Sequence, residues 1–430
     1  MFMKSIKFMT CALVIAGIFG TFNAQAQKMR VKGYNTVSTA VTFLTVSPDS
    51  RSGALGDMGV AFTPDANSMH YNPAKYACIG LKAGADPTQY DSYLNQKLGI
   101  ALNYSPLMSQ LSPDINLFNV GAYYKIDDKS TVAATMTYFS MGEIEFTNEE
   151  GNSLGLYHPN EFAIDATYSR KFSEKISGAV AGRFIYSDLT QGVNVSGKGT
   201  KAGISGAADI AMYYVDPIRL GSKDGTFSFG VNISNIGSKM SYYADKSDKE
   251  FIPTTLRLGP SLSVNLDDFN NLTFGVELTK FLVPTTPISE MHIGDSIVTY
   301  KYGWDETAFA HYGLNDNVST IMGMIQSFYD APGESIVSDT LVHIGKFREE
   351  LSEINLAAGI EYTYNNLLFL RAGYFYEAPR KGDRQFVSLG AGLKYNIFSI
   401  DVSYLISTTN QNPLGNTLRF SLCLNFAGKE

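Results

Sequence analysis

The sequence predicts an all-β transmembrane barrel of about fourteen antiparallel strands, with an N-terminal plug and a long, partly helical extracellular loop. Three observations carry this: period-two alternation, an export signal, and connections that sort by length. In the last alternating stretch Leu418, Phe420, Leu422, Leu424 and Phe426 interleave with Arg419, Ser421, Cys423 and Asn425. A period of two puts the first set on one face of a strand and the second on the other. In a soluble sandwich the apolar face would turn inward, whereas in a membrane barrel it turns to lipid and the lumen takes the polar set.

The N-terminus favours the barrel. Residues 1–26 carry Lys4 and Lys7, a short apolar run from Cys11 to Phe22, and then Ala24-Gln25-Ala26. This is the layout of a secretory signal peptide, with an apolar stretch too short to span a bilayer. No later stretch is long and apolar enough for a membrane helix, so any span must be made of strands. The formal charge of −7 becomes about −9 once Lys4 and Lys7 leave, which excludes the basic footprint of nucleic-acid binding. Cys78 and Cys423 are no disulfide framework, and with five scattered histidines they form no zinc spacing. A mean hydropathy of −0.06 is compatible with a barrel, whose lipid face is averaged with a wet lumen. The 26 tyrosines and 27 phenylalanines suit interfacial girdles.

Fourteen strands are expected at 97–104, 116–126, 130–139, 161–172, 175–187, 202–215, 225–235, 254–266, 271–281, 354–364, 367–376, 385–397, 399–407 and 416–426. Connections after most even strands are very short: Asp127-Asp128-Lys129, Ser173-Glu174, 267–270, Asn365-Asn366, and a turn at Phe398. Those after odd strands are longer, and 282–353 is the longest. Short turns at one end and long loops at the other are the barrel pattern, with both termini expected on the short-turn, periplasmic side of the outer membrane. The stretch from Asp216 to Asp224 is longer than this rule expects.

The expected lipid-facing sets include Leu256, Leu258, Leu262, Val264, Leu272, Phe274, Val276 and Leu278, then Leu356, Ile360, Tyr362, Leu389 and Leu393. The opposite phase carries Arg183, Asp209, Arg257, Glu277, Glu361, Arg371, Lys394, Asp401 and Arg419, both signs on one interior. Arg170 falls on the outward phase but at a strand end, where it can snorkel to headgroups. If Tyr364 faces lipid and Arg371 the lumen, a two-residue Asn365-Asn366 turn has the wrong parity. Three residues or a bulge are needed, and Glu361 then faces Arg371 as a lumen charge pair.

Residues 27–96 are too long and turn-rich for a leader and are expected to plug the bore, with 97–430 forming the barrel. The plug motif residues are Asp49, Arg51, Asp57, Asn72, Pro73 and Ala74. Gly53, Gly56 and Gly59 form no dinucleotide fingerprint and suit close packing in a confined lumen. In the long loop, 318–329 and 337–351 have helical spacing, with Ile321, Met324, Ile325, Phe328 on one stripe and Leu341, Ile344, Phe347, Leu351 on another. Two helices capping the mouth, stripes packed together, are expected. The candidate partner-binding residues there are Trp304, Ile325, Phe328, Tyr329 and Phe347. The histidines and serines give no nucleophile elbow, and Asp49, Asp57, Asp65 and Asp86 no calcium-loop spacing, so no catalytic residue, metal or cofactor is expected.

The plug with Asn72-Pro73-Ala74 ahead of fourteen strands resembles the FadL family of outer-membrane transporters for hydrophobic molecules. Residues 47–61 (SPDSRSGALGDMGVA), 64–67 (PDAN), 71–76 (YNPAKY), 323–333 (GMIQSFYDAPG) and 377–382 (EAPRKG) resemble the PorV (LptO) family of the type IX secretion system. That resemblance implies a carrier for cargo bearing the pathway's C-terminal signal domain. The carrier would take cargo from a large outer-membrane translocon (SprA- or Sov-like) and deliver it to an attachment complex containing a sortase-like protease, PorU. Outer-membrane lipid or lipopolysaccharide is a further expected contact. The FadL-type plug leaves a lipophilic-molecule transporter or binder as the alternative, and lipopolysaccharide deacylation, associated with PorV proteins, as a third reading.

The phase assignment is testable. Val276→Arg should cost about 2–4 kcal/mol of barrel stability at mid-bilayer depth, read from denaturant unfolding in vesicles; a neutral effect would break the assignment.

Overall fold

The computed structural model describes residues 35–89, 94–108, 114–147, 151–194, 198–246, 248–293, 297–337, 340–409 and 414–428. The expected signal peptide, residues 1–26, lies outside the described residues. Fourteen strands close into one antiparallel barrel. They are β1 (Leu98–Pro106), β2 (Ile115–Lys125), β3 (Ser130–Met141), β4 (Asn160–Lys171), β5 (Ile176–Asp188), β6 (Gly203–Leu220) and β7 (Lys223–Gly237). Then follow β8 (Thr255–Asn265), β9 (Asn270–Phe281), β10 (Ile354–Tyr364), β11 (Leu368–Tyr376), β12 (Gln385–Tyr395), β13 (Phe398–Ser407) and β14 (Leu418–Phe426). β1 closes on β14 with Leu98 opposite Phe426, so the sheet has no free edge. Every expected strand is present, and Leu356, Phe274, Leu389 and Leu393 face outward as the period-two phase requires.

All six even-strand connections are short. The expected exception between Asp216 and Asp224 is a correction: β6 and β7 run on through it, with Leu220 pairing Lys223 across a two-residue turn. Pro217 is tolerated there because it sits beyond the end of β5 and pairs Thr226 on its other side only. The β12–β13 turn is Asn396-Ile397, one step before the expected Phe398, and Asn396 takes the left-handed conformation. The β10–β11 connection has the three residues that parity demands: Tyr364 pairs Leu368, with Asn365 and Asn366 both left-handed.

The N-terminal segment fills the bore. Asn35 donates its backbone N–H to Arg380 and Ala40 to Phe251, both in long-loop connections. The chain then descends through a short helix α1 (Ser50–Ala54) to a 3-10 turn (Pro73–Cys78) bonded to Ser169 and Ser177 at the short-turn end. The first described residue thus lies at the long-loop mouth, while the C-terminal strand ends at the other. Residues 27–34, on which the expected side of the N-terminus depends, lie outside the described residues.

The wall gives up its side chains where the plug presses on it. Gly275, Gly359 and Gly373 are successive cross-strand partners on β9, β10 and β11. A Cβ at Gly275 would lie 2.5 Å from the Phe62 ring, at Gly359 2.8 Å from the Leu55 carbonyl oxygen, and at Gly373 2.1 Å from the Gly56 nitrogen. Phe43, Leu44, Leu55, Met58 and Phe62 of the plug pack with inward Leu117, Ile185, Phe375, Phe386 and Leu405. The interior is therefore more apolar than a water-filled lumen would be.

The long loop departs from expectation. Among the described residues of the loop, helices form at α2 (Thr320–Gln326) and α3 (Lys346–Ser352); Thr340–His343, where helix was expected, instead pairs with Glu334–Val337. Gly333 and Gly345, both with positive φ, bracket that hairpin and break the helical run. A three-stranded sheet of Ile288–Ile293, Ile297–Tyr302 and Ala310–Tyr312 precedes them.

Gly373→Val should unseat the plug, with a loss of about 1–3 kcal/mol or more of stability and new protease cleavage within 47–78. Gly182→Ala, where a Cβ meets nothing within 4 Å, is the neutral control. Equal melting and proteolysis of both variants would contradict the seat.

Candidate functional site

The plug motif and the lumen pair form one charge chain. Arg51 reaches from α1 to Glu361 with Nε–Oε2 3.0 Å and Nη2–Oε1 2.9 Å, and to Asp65 at 2.7 Å. Its Nη1 also donates to the Thr63 carbonyl at 2.9 Å. Glu361 faces Arg371 across β10–β11 and accepts its Nε at 2.6 Å, and Arg371 continues to Asp401. Three carboxylates thus alternate with two guanidiniums from plug to wall. Alternation is what makes the burial tolerable, since each ion removed from water is repaid only by close partners.

Further contacts fix the plug's height and rotation. Arg419, wholly buried, grips Asp57 at 2.6 and 3.3 Å. Glu277 accepts the Gly59 and Val60 backbone N–H groups at 2.8 and 2.9 Å, a wall carboxylate holding a plug turn. Asp49 caps α1 by accepting the Ser52 N–H at 2.8 Å; burial, then Asp65, push its carboxyl up to about 6. Lys75 donates to the Gly59 carbonyl at 2.8 Å, and burial lowers its ammonium to about 8.

Asn72, Pro73 and Ala74 act at backbone level. The Asn72 side-chain oxygen accepts the Ala74 N–H at 3.0 Å, capping the 3-10 turn, while its amide donates to Val60 and Met212 carbonyls. Pro73 occupies the first helical position, where no N–H is required. The Ala74 carbonyl accepts Ser169 and Ser177 hydroxyls at 3.0 and 2.8 Å. The triplet is a lock between plug and wall.

At the long-loop mouth an open recess of about 620 Å³ is lined by Ser38, Lys239, Phe251 and Pro284, whereas the described cavities inside the bore are small: about 120 Å³ at the short-turn mouth, lined by Arg51, Phe369, Lys394 and Leu393, and others near 30 Å³. A drug-sized ligand needs several hundred Å³.

At the other mouth the helices are inverted in polarity. α2 buries Gly323 and Gln326, and α3 buries Glu349. Ile321, Ile325, Phe328 and Tyr329 lie more than half exposed, and Phe347 is 77% exposed. The expected packing of one apolar stripe on the other is therefore absent; the stripes face outward. Trp304 sits apart on the loop sheet, its ring stacked on His311 at 3.8 Å and a third exposed.

A cluster not anticipated from the sequence anchors these helices. Lys381 contacts Glu349 at 2.9 Å and Glu353 at 3.0 Å, and Lys280 contacts Glu350 at 3.4 Å and Glu353 at 2.5 Å. Glu349, Glu350 and Glu353 signal only a helical face in sequence; their lysines come from β9 and the β11–β12 loop. Among the described residues no group of three His, Cys, Asp or Glu side chains is arranged to hold a metal. His70 lies edge-on to Tyr71 in the plug, and His343 pairs with Glu334 in the loop hairpin.

Fold and site together define a plugged outer-membrane β-barrel whose bore is occupied by its own N-terminal segment. The chain belongs to the PorV family: the model described as "Type IX secretion system protein PorV" matches residues 28–288. The barrel is similar to the CymD monoaromatic hydrocarbon channel, with TM-score 0.46, 12% identity, and 90% of this chain and 99% of that chain covered. It is also similar to the Pseudomonas putida toluene transporter TodX, with TM-score 0.42, 10% identity, and 86% and 95% covered. A Pseudomonas aeruginosa FadL homologue gives TM-score 0.39 and 12% identity over 92% of this chain and 99% of that one. A UPF0173 metal-dependent hydrolase of Roseobacter denitrificans is 29% identical over 87 residues, 20% of this chain; the match spans only 38% of that protein's length.

Glu361→Ala should cost about 3–5 kcal/mol, because Arg51 and Arg371 are left buried without their shared carboxylate. Denaturant unfolding measures it, and a loss below about 1 kcal/mol would show that the plug does not depend on this chain.

Proposed function

We propose that this chain is a surface carrier of the type IX pathway. It receives proteins through their C-terminal signal domain as they leave the large translocon and presents them to the attachment complex with its sortase-like protease. In this reading the long-loop mouth is extracellular and the short turns periplasmic. The observation that carries it is the outward apolar face of α2 and α3, held on a polar base above a filled bore. A surface of exposed Ile325, Phe328, Tyr329 and Phe347 has the composition of an interface centre, and its burial in a partner would return the transfer energy that the fold forgoes. Family membership supplies the pathway.

The filled bore weighs against passage of cargo or lipophilic molecules through the lumen, so recognition at the mouth is the favoured mode.

Ile325→Asp combined with Phe328→Asp should reduce co-purified cargo by about thirtyfold or more, the effect of losing a 2 kcal/mol contact. Heat-modifiable gel mobility checks that the barrel still folds. Undiminished cargo on a folded double variant would overturn the docking surface, while loss of a hydrophobic compound's uptake with secretion spared would favour the transporter.

A further inference from the structure

The base that holds the long loop contains more acid than base. Asp330, in the turn after α2, is completely buried. Its Oδ2 accepts the Thr285 backbone N–H at 3.1 Å, and its Oδ1 has no partner among the described residues. Around it stand Glu350 and Glu353 on and just after α3 and Lys280 at the end of β9. Glu349 and Lys381 complete the group, and Asn35 of the plug donates toward Glu349 at 3.4 Å. Glu350 also accepts the Ala331 N–H at 2.9 Å, and Glu349 the Gly333 N–H at 2.7 Å. Four carboxyl groups therefore share two ammoniums in a largely buried site.

Both lysines are already committed, Lys381 to Glu349 and Glu353, Lys280 to Glu353 and Glu350. Neither is bonded to Asp330. An ionised Asp330 would add a second uncompensated negative charge to a buried site, which is costly. One proton on it removes that charge.

We infer that this cluster is a proton-sensitive latch: the docked long loop holds a proton on Asp330, and loss of that proton loosens 320–353 from the barrel mouth. The connection is mechanical as well as electrostatic, because the Asp330 turn, α3 and the start of the plug meet at the same carboxylates. The latch is a property of the loop's base and stands whatever partner its outer face takes.

The electrostatics give the direction. Burial, then the charge of Glu353, push the Asp330 carboxyl up to about 7. Burial raises Glu350 as well. Burial acts on Glu353 in the same sense, but Lys381 and Lys280 outweigh it and hold that carboxyl below its usual range. The docked loop keeps a proton that the released loop would lose from about pH 4 upward, so docking is strongest in acid and weakens as pH climbs toward about 7.

The test is hydrogen exchange at the Thr285, Ala331 and Gly333 amides in the full barrel, comparing wild type with Asp330→Asn at each pH. The amide keeps the shape of the protonated acid. Between about pH 6 and about pH 8 the wild-type opening equilibrium should rise roughly tenfold relative to the variant. Infrared difference spectra of the wild type give an independent readout, a protonated-carboxyl band that fades over the same interval. Parallel exchange in both proteins, or no titrating band near neutrality where the variant fails to fold, would overturn the latch.

Discussion

A fourteen-stranded barrel encloses more space than its wall side chains can fill, and the rest of this structure follows from how that space is occupied. The bilayer compels closure, because an open edge would leave backbone groups without partners in hydrocarbon. The bore must then be wet or filled. Here it is filled by a segment of the same chain, and the contact between segment and wall is charged where it fixes orientation and glycine-lined where it must be close. Arg51, Glu361, Arg371 and Asp401 set one side, Arg419 with Asp57 another, and Gly275, Gly359 and Gly373 make room for the backbone between them. The wall and the plug are thus parts of one core, in which apolar clusters lie toward both mouths and the polar locks stand among them.

Filling the bore moves recognition to the mouth. The loop buries Leu282, Val283 and Ile288 in its first part, but around its two helices the buried positions go to Gln326, Ser327, Asp330, Glu349 and Glu353, and Ile325, Phe328 and Phe347 are left outside. This is the reverse of a helix stabilised by its own amphipathic face. A loop so built depends on its charged base for position, and that base holds on Asp330 a carboxyl oxygen without a partner among the described residues. The proposed docking surface and the proposed latch are two sides of one element. What holds the loop down is polar and titratable, and what it offers outward is apolar.

Much of the barrel was legible because strand periodicity is local. Leu418–Phe426 alternates without needing any neighbour, and parity across Asn365-Asn366 correctly demanded a three-residue turn and set Glu361 against Arg371. The Gly53, Gly56, Gly59 spacing pointed to close packing, and a Cβ at Gly53 would indeed lie 2.3 Å from Arg419. The loop misled for the same reason the strands did not. Helical spacing over 337–351 was counted without the brackets that Gly333 and Gly345 impose, and an apolar stripe was assumed to point inward. The stretch from Asp216 to Asp224 misled in the other direction, reading as a long connection where a strand overhangs its neighbour.

By itself the sequence determined the strand set, the two faces, the sorting of connections and the presence of a plug, since each depends on residues near one another along the chain. Only the tertiary structure decided that Arg51 rather than water answers Glu361, that Lys280 and Lys381 meet the acids of α3, that Asn35 lies at the long-loop mouth, and that the loop's apolar stripes face outward. Those outcomes join residues separated by tens to hundreds of positions. Their energies depend on burial and on distance in space, neither of which the order of residues carries.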